Sequence, residues 1–204
     1  MFEPYRTLSF GPLSLSMDLL FLLAAVIVAF FSIERYMKWL NLDQSEQISD
    51  QLTWALFGAV AIFKFWPVIT APSLLSNPMN ALYFTGGPFA LEAAMLFAFG
   101  WMAVFAIIRK WPLQLWEAVI GGAAAGSIIY FAGVRNLGAV SPLSVGFNVD
   151  GVLLHPLNFY MLVLVILAGS GRFIYWGKEA GYKPIYYYIG SALAIWILIS
   201  PFRI

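Results

Sequence analysis

The sequence predicts an all-α integral membrane protein, a bundle of about six transmembrane helices. Three observations carry this expectation. Of 204 residues, 62% are hydrophobic and only 10% are charged, against roughly 25% charged in an ordinary soluble domain. Apolar stretches that approach the roughly 20 residues needed to cross a bilayer core recur almost to the last residue. Runs such as LLFLLAAVIVAFF lack the apolar and polar alternation of barrel strands, the only other structure that satisfies the backbone in lipid. A cleaved secretory signal would be one short stretch near the N-terminus, so this hydrophobicity belongs to the mature protein.

The expected helices follow in order. The first runs from Leu13 to Ile33 and carries Asp18 about one turn inside it. The second, Gln51 to Ile69, carries Lys64. A connection from Thr70 to Pro88, rich in proline, glycine and asparagine and without charge, suits a loop in the headgroup region. The third, Phe89 to Ile108, has Glu92 in its first turn, where a carboxylate suits the positive end of the helix dipole. The fourth, Leu115 to Ala132, begins with Glu117, read as a helix-start residue. Its small-residue surface includes Gly122 and Gly126 and lets a neighbouring helix approach closely, inside the bundle or at a dimer contact. The fifth and sixth, Val152 to Ala168 and Ile185 to Ile199, are the shortest. Trp39, Trp66, Trp111, Trp116 and Trp176 fall near span ends, where indole rings favour the interface.

Lysine and arginine set the expected orientation, because cytoplasmic connections carry the excess. Seven lie on one side (Arg35, Lys38, Arg109, Lys110, Arg172, Lys178 and Lys183) and three on the other (Arg6, Arg135 and Arg203). Six crossings then put both termini outside. No linker, repeat or low-complexity tract divides residues 1–204, so a single domain is expected. Without cysteine and with one histidine, the chain lacks the ligands of a usual transition-metal site, and no metal or other cofactor is expected. A net charge of +1 gives no reason to expect nucleic acid.

Ionisable groups at membrane depth cost roughly 2.5–3.5 kcal/mol each at a helix centre, so each calls for a partner or a role. Asp18 and Lys64 are at similar expected depth. Either they pair, or they hold a lipid headgroup. The densest polar cluster follows the fourth span: Arg135 and Asn136 in GVRNLG, then Asp150 and His155 in NVDGVLLHPLNFY. Arginine holds phosphate through paired hydrogen bonds, and histidine titrates near neutral pH. Arg135 is thus a candidate phosphate ligand, or else the ion-pair partner of Asp150. His155 is a candidate acid or base, or a structural hydrogen-bonding group beside Pro156.

The order of segments resembles bacterial prolipoprotein diacylglyceryl transferases. SFGPLSLSMDLLFLLAAVIVAF is similar to the family's opening, where Gly-Pro-Leu leads into the first span, and LNLDQSEQISDQLTWALFGAVAIFKF to its second segment, with Lys64 near a usual arginine. TGGPF resembles the family's Gly-Gly-x-x-Phe stretch, and LHPLNFY its His-Pro-x-x-x-Tyr segment through His155, Pro156 and Tyr160. The pattern departs in places. Ala90-Leu91-Glu92 stands where the family has His-Gly-Gly, GVRNLG is tighter than Gly-Arg-x-Gly-Asn, Met161 replaces a glutamate, and the last helix is absent. The resemblance implies a divergent, shortened relative acting at the outer leaflet of the bacterial plasma membrane. Its expected partners are phosphatidylglycerol and a secreted lipobox preprotein, to whose cysteine the family transfers a diacylglyceryl group. On this reading His155 and Arg135 are catalytic, and Asn136, Tyr160, Asp18, Lys64 and Glu92 bind substrate. The other expectation is a lipid-binding subunit of another membrane protein, without catalysis.

Overall fold

The computed structural model describes residues 1–10, 13–42, 44–76, 86–142, 146–177, 179 and 181–203. Among the described residues six long helices carry the fold: α1 (Met17–Trp39), α2 (Ser45–Thr70), α3 (Ala90–Ile108), α4 (Gln114–Gly133), α5 (Leu157–Trp176) and α6 (Tyr182–Ile199). All six are long and apolar enough to span a membrane, as the sequence predicts, and the chain is a multi-pass membrane protein.

Short strands take the place of the expected starts of the first and fifth helices. β1 (Thr7–Phe10) pairs antiparallel with β2 (Leu13–Ser16), with Thr7 opposite Ser16. The first helix therefore starts at Met17, and the Ser16 side chain caps it by accepting from the Leu19 N–H at 3.3 Å. LSLS alternates with period two, a strand signal that the continuous apolar run behind it conceals. A second sheet, in the order β3 (Leu137–Val140), β5 (Val152–Pro156), β4 (Phe147–Val149), displaces the expected start of the fifth helix from Val152 to Leu157. Its hairpin turns at Asp150 and Gly151, whose φ values of 51° and 86° are the left-handed pair that a tight two-residue turn requires. The α5 helix then runs past Ala168 to Trp176, stopping where Gly177 takes φ 50°.

The chain divides into two compact units, Met1–Leu42 with Leu113–Ile204, and Asp43–Pro112. In the larger, α1 and α4 run antiparallel in close contact. A Cβ on Gly126 would collide with the backbone oxygen of Ala25, and one on Gly122 would come 2.9 Å from that of Ala29. The small-residue surface thus admits another helix of the same chain. Helices α5 and α6 continue the packing from α4. Both sheets gather at one end of this unit, the sheet end. Arg35, Lys38, Arg172 and Lys183 mark the other, the basic end.

In the smaller unit α2 packs on α3. Trp101 Nε1 donates to Gln51 Oε1 at 3.2 Å, and Trp66 Nε1 donates to the Pro88 carbonyl at 2.7 Å. Phe97, Trp101 and Phe105, spaced four residues apart along α3, have ring centroids 5.7 and 5.2 Å apart. The connection predicted for the headgroup region forms a 3-10 turn at Pro72–Ser76, and its residues 77–85 lie outside the described residues.

Candidate functional site

The chain's first residues build the sheet end. Phe2 bridges Val134 in parallel: its N–H donates to Gly133, and its carbonyl accepts from Arg135, both at 2.7 Å. That register sets Glu3 beside Arg135, and the guanidinium donates to the Glu3 carboxylate at 2.5 Å. The Phe147 ring centroid lies 5.9 Å from the same guanidinium. Arg135 does take an acidic partner, but it is Glu3 and not the expected Asp150, which forms the β4–β5 turn.

Beside this pair a polar chamber of about 460 Å³ opens between α4, α5 and the C-terminal 3-10 turn, Ser200–Phe202, lined by Tyr130, Asn136, Asn158 and Arg203 among apolar neighbours. The main chain fixes its walls. Leu157 N–H donates to the Asn136 carbonyl at 3.0 Å, and the buried Asn158 amide donates to the Val134 carbonyl at 2.8 Å. Tyr130 donates its hydroxyl proton to Asp18 at 2.6 Å. Asp18 therefore stands behind the chamber wall and holds one of its rings. Arg203 is exposed, and among the described residues no carboxylate pairs with it. Phe131, Met161 and Arg203 also line a mostly apolar groove of about 400 Å³ between α4, α5 and α6. The charged mouth and the apolar groove are continuous at these three residues.

His155 and Tyr160, both named by the His-Pro-x-x-x-Tyr resemblance, lie in contact. Nδ1 lies 3.1 Å from the Tyr160 hydroxyl, one donating and the other accepting, and the imidazole packs edge-on to Phe202 with centroids 4.7 Å apart. Only 5% of His155 is exposed. Neither His155 nor Arg135 lines the chamber. Gly138 permits the approach of the C-terminal turn, because a Cβ there would collide with the Phe202 carbonyl. That turn brings Arg203 to the chamber, a cation that in the sequence bears only on orientation.

The remaining candidates lie elsewhere. Lys64 and Glu92 belong to the smaller unit, and Glu92 is an exposed residue of the first turn of α3. At the basic end Glu117 and Arg172 are both fully buried and form an ion pair. Arg172 Nε donates to Glu117 at 2.8 Å, and its other nitrogens donate to the carbonyls of Gly177 and Glu179 at 3.0 and 2.7 Å. Glu117 also accepts from the Tyr36 hydroxyl at 2.8 Å and from the Gly181 N–H at 3.3 Å. Glu117 is thus more than a helix-start residue. Arg172 lies inside α5 and not in a connection, because the helix continues beyond its expected end. This cluster joins α1, α4, α5 and the α5–α6 connection. Compared with known protein families and with curated proteins, the chain matches none.

Proposed function

We propose that this chain is a phospholipid-binding protein of the outer leaflet of a bacterial plasma membrane, a divergent relative of the prolipoprotein diacylglyceryl transferases. The observation that carries the reading is the chamber whose cation, Arg203, lacks an ion pair among the described residues and whose mouth continues into an apolar groove. Such an arrangement suits phosphatidylglycerol. Arg203 takes the phosphate, the Asn136 and Asn158 amides face the glycerol headgroup, and an acyl chain follows the groove. A charge-assisted hydrogen bond contributes about 1.5–3 kcal/mol, so Arg203→Gln is expected to weaken phosphatidylglycerol binding by about tenfold or more. Thermal stabilisation of the purified protein by added lipid measures this. Equal stabilisation of the parent and of Arg203→Gln defeats the reading, and Arg135→Gln tests the other candidate phosphate ligand in parallel.

The contact between His155 and Tyr160 favours a second reading, an active diacylglyceryl transferase in which His155 takes the thiol proton as the lipobox sulfur attacks the diacylglyceryl carbon next to the phosphate, the C–O bond to that phosphate breaks, and the headgroup leaves as glycerol phosphate. Purified protein given phosphatidylglycerol and a lipobox peptide separates the two readings. Lipidation that persists in His155→Ala removes His155 as the base.

The orientation follows from the division of basic residues in the sequence, seven to three, or six to three once Arg172 is set aside as buried inside α5. Cysteines placed singly at exposed positions 44 and 142 test it in intact cells with an impermeant reagent. Labelling is expected at 142 only, and labelling at 44 reverses the topology.

A further inference from the structure

Helices α1 and α5 both pack on α4 and leave a groove of about 720 Å³ between them at the basic end, within the roughly 300–1,000 Å³ typical of small-molecule sites. We infer that this groove holds an anionic phospholipid of the opposite leaflet, with its phosphate on Arg35 and an acyl chain over the small-residue floor of α4. This inference does not depend on the reading of the sheet end.

Three features point to a lipid and away from a docked helix. The first is charge. Arg35 is exposed at the groove and pairs with no carboxylate among the described residues, whereas the neighbouring Arg172 is paired with Glu117. A transmembrane helix would have to carry a carboxylate to this point at the cost of burying it, while a phospholipid brings its negative charge already attached to an apolar chain. The second is the order of chemistry along the helix axis. Arg35 lies one turn from Trp39, the last residue of α1, with Ser32 and Ser170 among the lining residues. Beyond Ser32 the α1 side of the groove is apolar to Val28, which stands about 10 Å from Arg35 at the helical rise. Charge near the interface and hydrocarbon toward the midplane is the pattern of a lipid. The third is what closes the end. Tyr36, Trp39 and Phe173 pack with ring centroids 5.3–6.0 Å apart, so a chain enters from the side. The floor is Gly121, Ala124 and Ala125, and it reaches the sheet-end groove at Ala124, Val165, Gly169 and Tyr188, lining residues common to both.

The test uses the full chain, delipidated in neutral detergent, with bound lipid counted by native mass spectrometry at increasing phosphatidylglycerol. Two bound lipids are expected. Arg35→Gln, a change at an exposed position, is expected to weaken one of them by about tenfold or more. Ala125→Leu fills the groove without touching the sheet-end groove and is expected to remove the same lipid with Arg35 intact. Arg203→Gln is expected to leave this lipid and to affect the other, so failure of one site is distinguished from failure of the other. Unchanged binding in either Arg35→Gln or Ala125→Leu overturns the inference. So does phosphatidylcholine binding equal to that of phosphatidylglycerol at this site, or a dimer in place of the lipid.

Discussion

Replacing Glu117 by alanine is expected to destabilise the protein by about 3–5 kcal/mol, the cost of leaving one member of a buried ion pair without its partner. Arg172 is fully buried, and both Nε and Nη2 donate to the Glu117 carboxylate. In the variant its charge remains fully buried, with no other carboxylate paired to it among the described residues. Tyr36 loses its acceptor, and the Gly181 N–H loses a partner in the α5–α6 connection. A double variant, Glu117→Leu with Arg172→Met, removes both charges and keeps most of the volume. It is expected to fall well short of that loss, because the desolvation of the pair is recovered as its attraction is given up. Reversible unfolding in mixed micelles measures both. A loss below about 1 kcal/mol for Glu117→Ala, typical of an exposed pair, contradicts this account.

That pair marks the limit of what sequence can provide here. Six spans are legible because hydrophobicity and length are local properties, and the small residues of α4 announce a close helix contact. Glu117 and Arg172 are 55 positions apart, and nothing local tells either that the other is its partner. The glycines and serine at 169–171 interrupt the apolar run and so suggest a connection at Arg172, although each fits inside a helix whose main-chain hydrogen bonds continue. Glu3 becomes the partner of Arg135 only through the bridge between Phe2 and Val134, a long-range register.

Other features are present in the sequence but outweighed. Asp150–Gly151 between Val149 and Val152 is a strong hairpin signal, yet the apolar residues after it read as the start of a span. The Ser14 and Ser16 alternation is absorbed in the same way by the first helix. Both strands lie next to helix starts, where composition alone does not separate an extended approach from the helix. At the candidate site, sequence singles out His155 and Tyr160 within one short motif and sets Asn136 on the same side as His155. It offers Asp18 no phenolic partner and Arg203 no cavity, because both depend on how α4, α5 and the C-terminal turn converge.

Gly126→Leu is the second substitution with a large expected effect, and its sign is set by two opposed terms. A glycine in a helix interior costs up to about 1 kcal/mol relative to alanine, and a larger helix former recovers most of that. Gly190, exposed on α6 with nothing within 4 Å of where a Cβ would sit, shows this term alone, so Gly190→Ala is expected to be neutral or to stabilise. At Gly126 the Cβ would meet the backbone oxygen of Ala25, with the Ala29 side chain 2.8 Å away. Backbone inside a packed helix cannot swing aside as a side chain does. The leucine therefore forces α1 and α4 apart along their contact, which also holds Tyr36 near Glu117 and Tyr130 near Asp18. Overpacking of this kind costs about 1–3 kcal/mol or more, which exceeds the gain in propensity. Thermal melts of Gly126→Leu, Gly126→Ala and Gly190→Ala are expected to rank in that order of increasing stability. A Gly126→Leu protein as stable as the parent shows that α1 and α4 do not approach at this glycine.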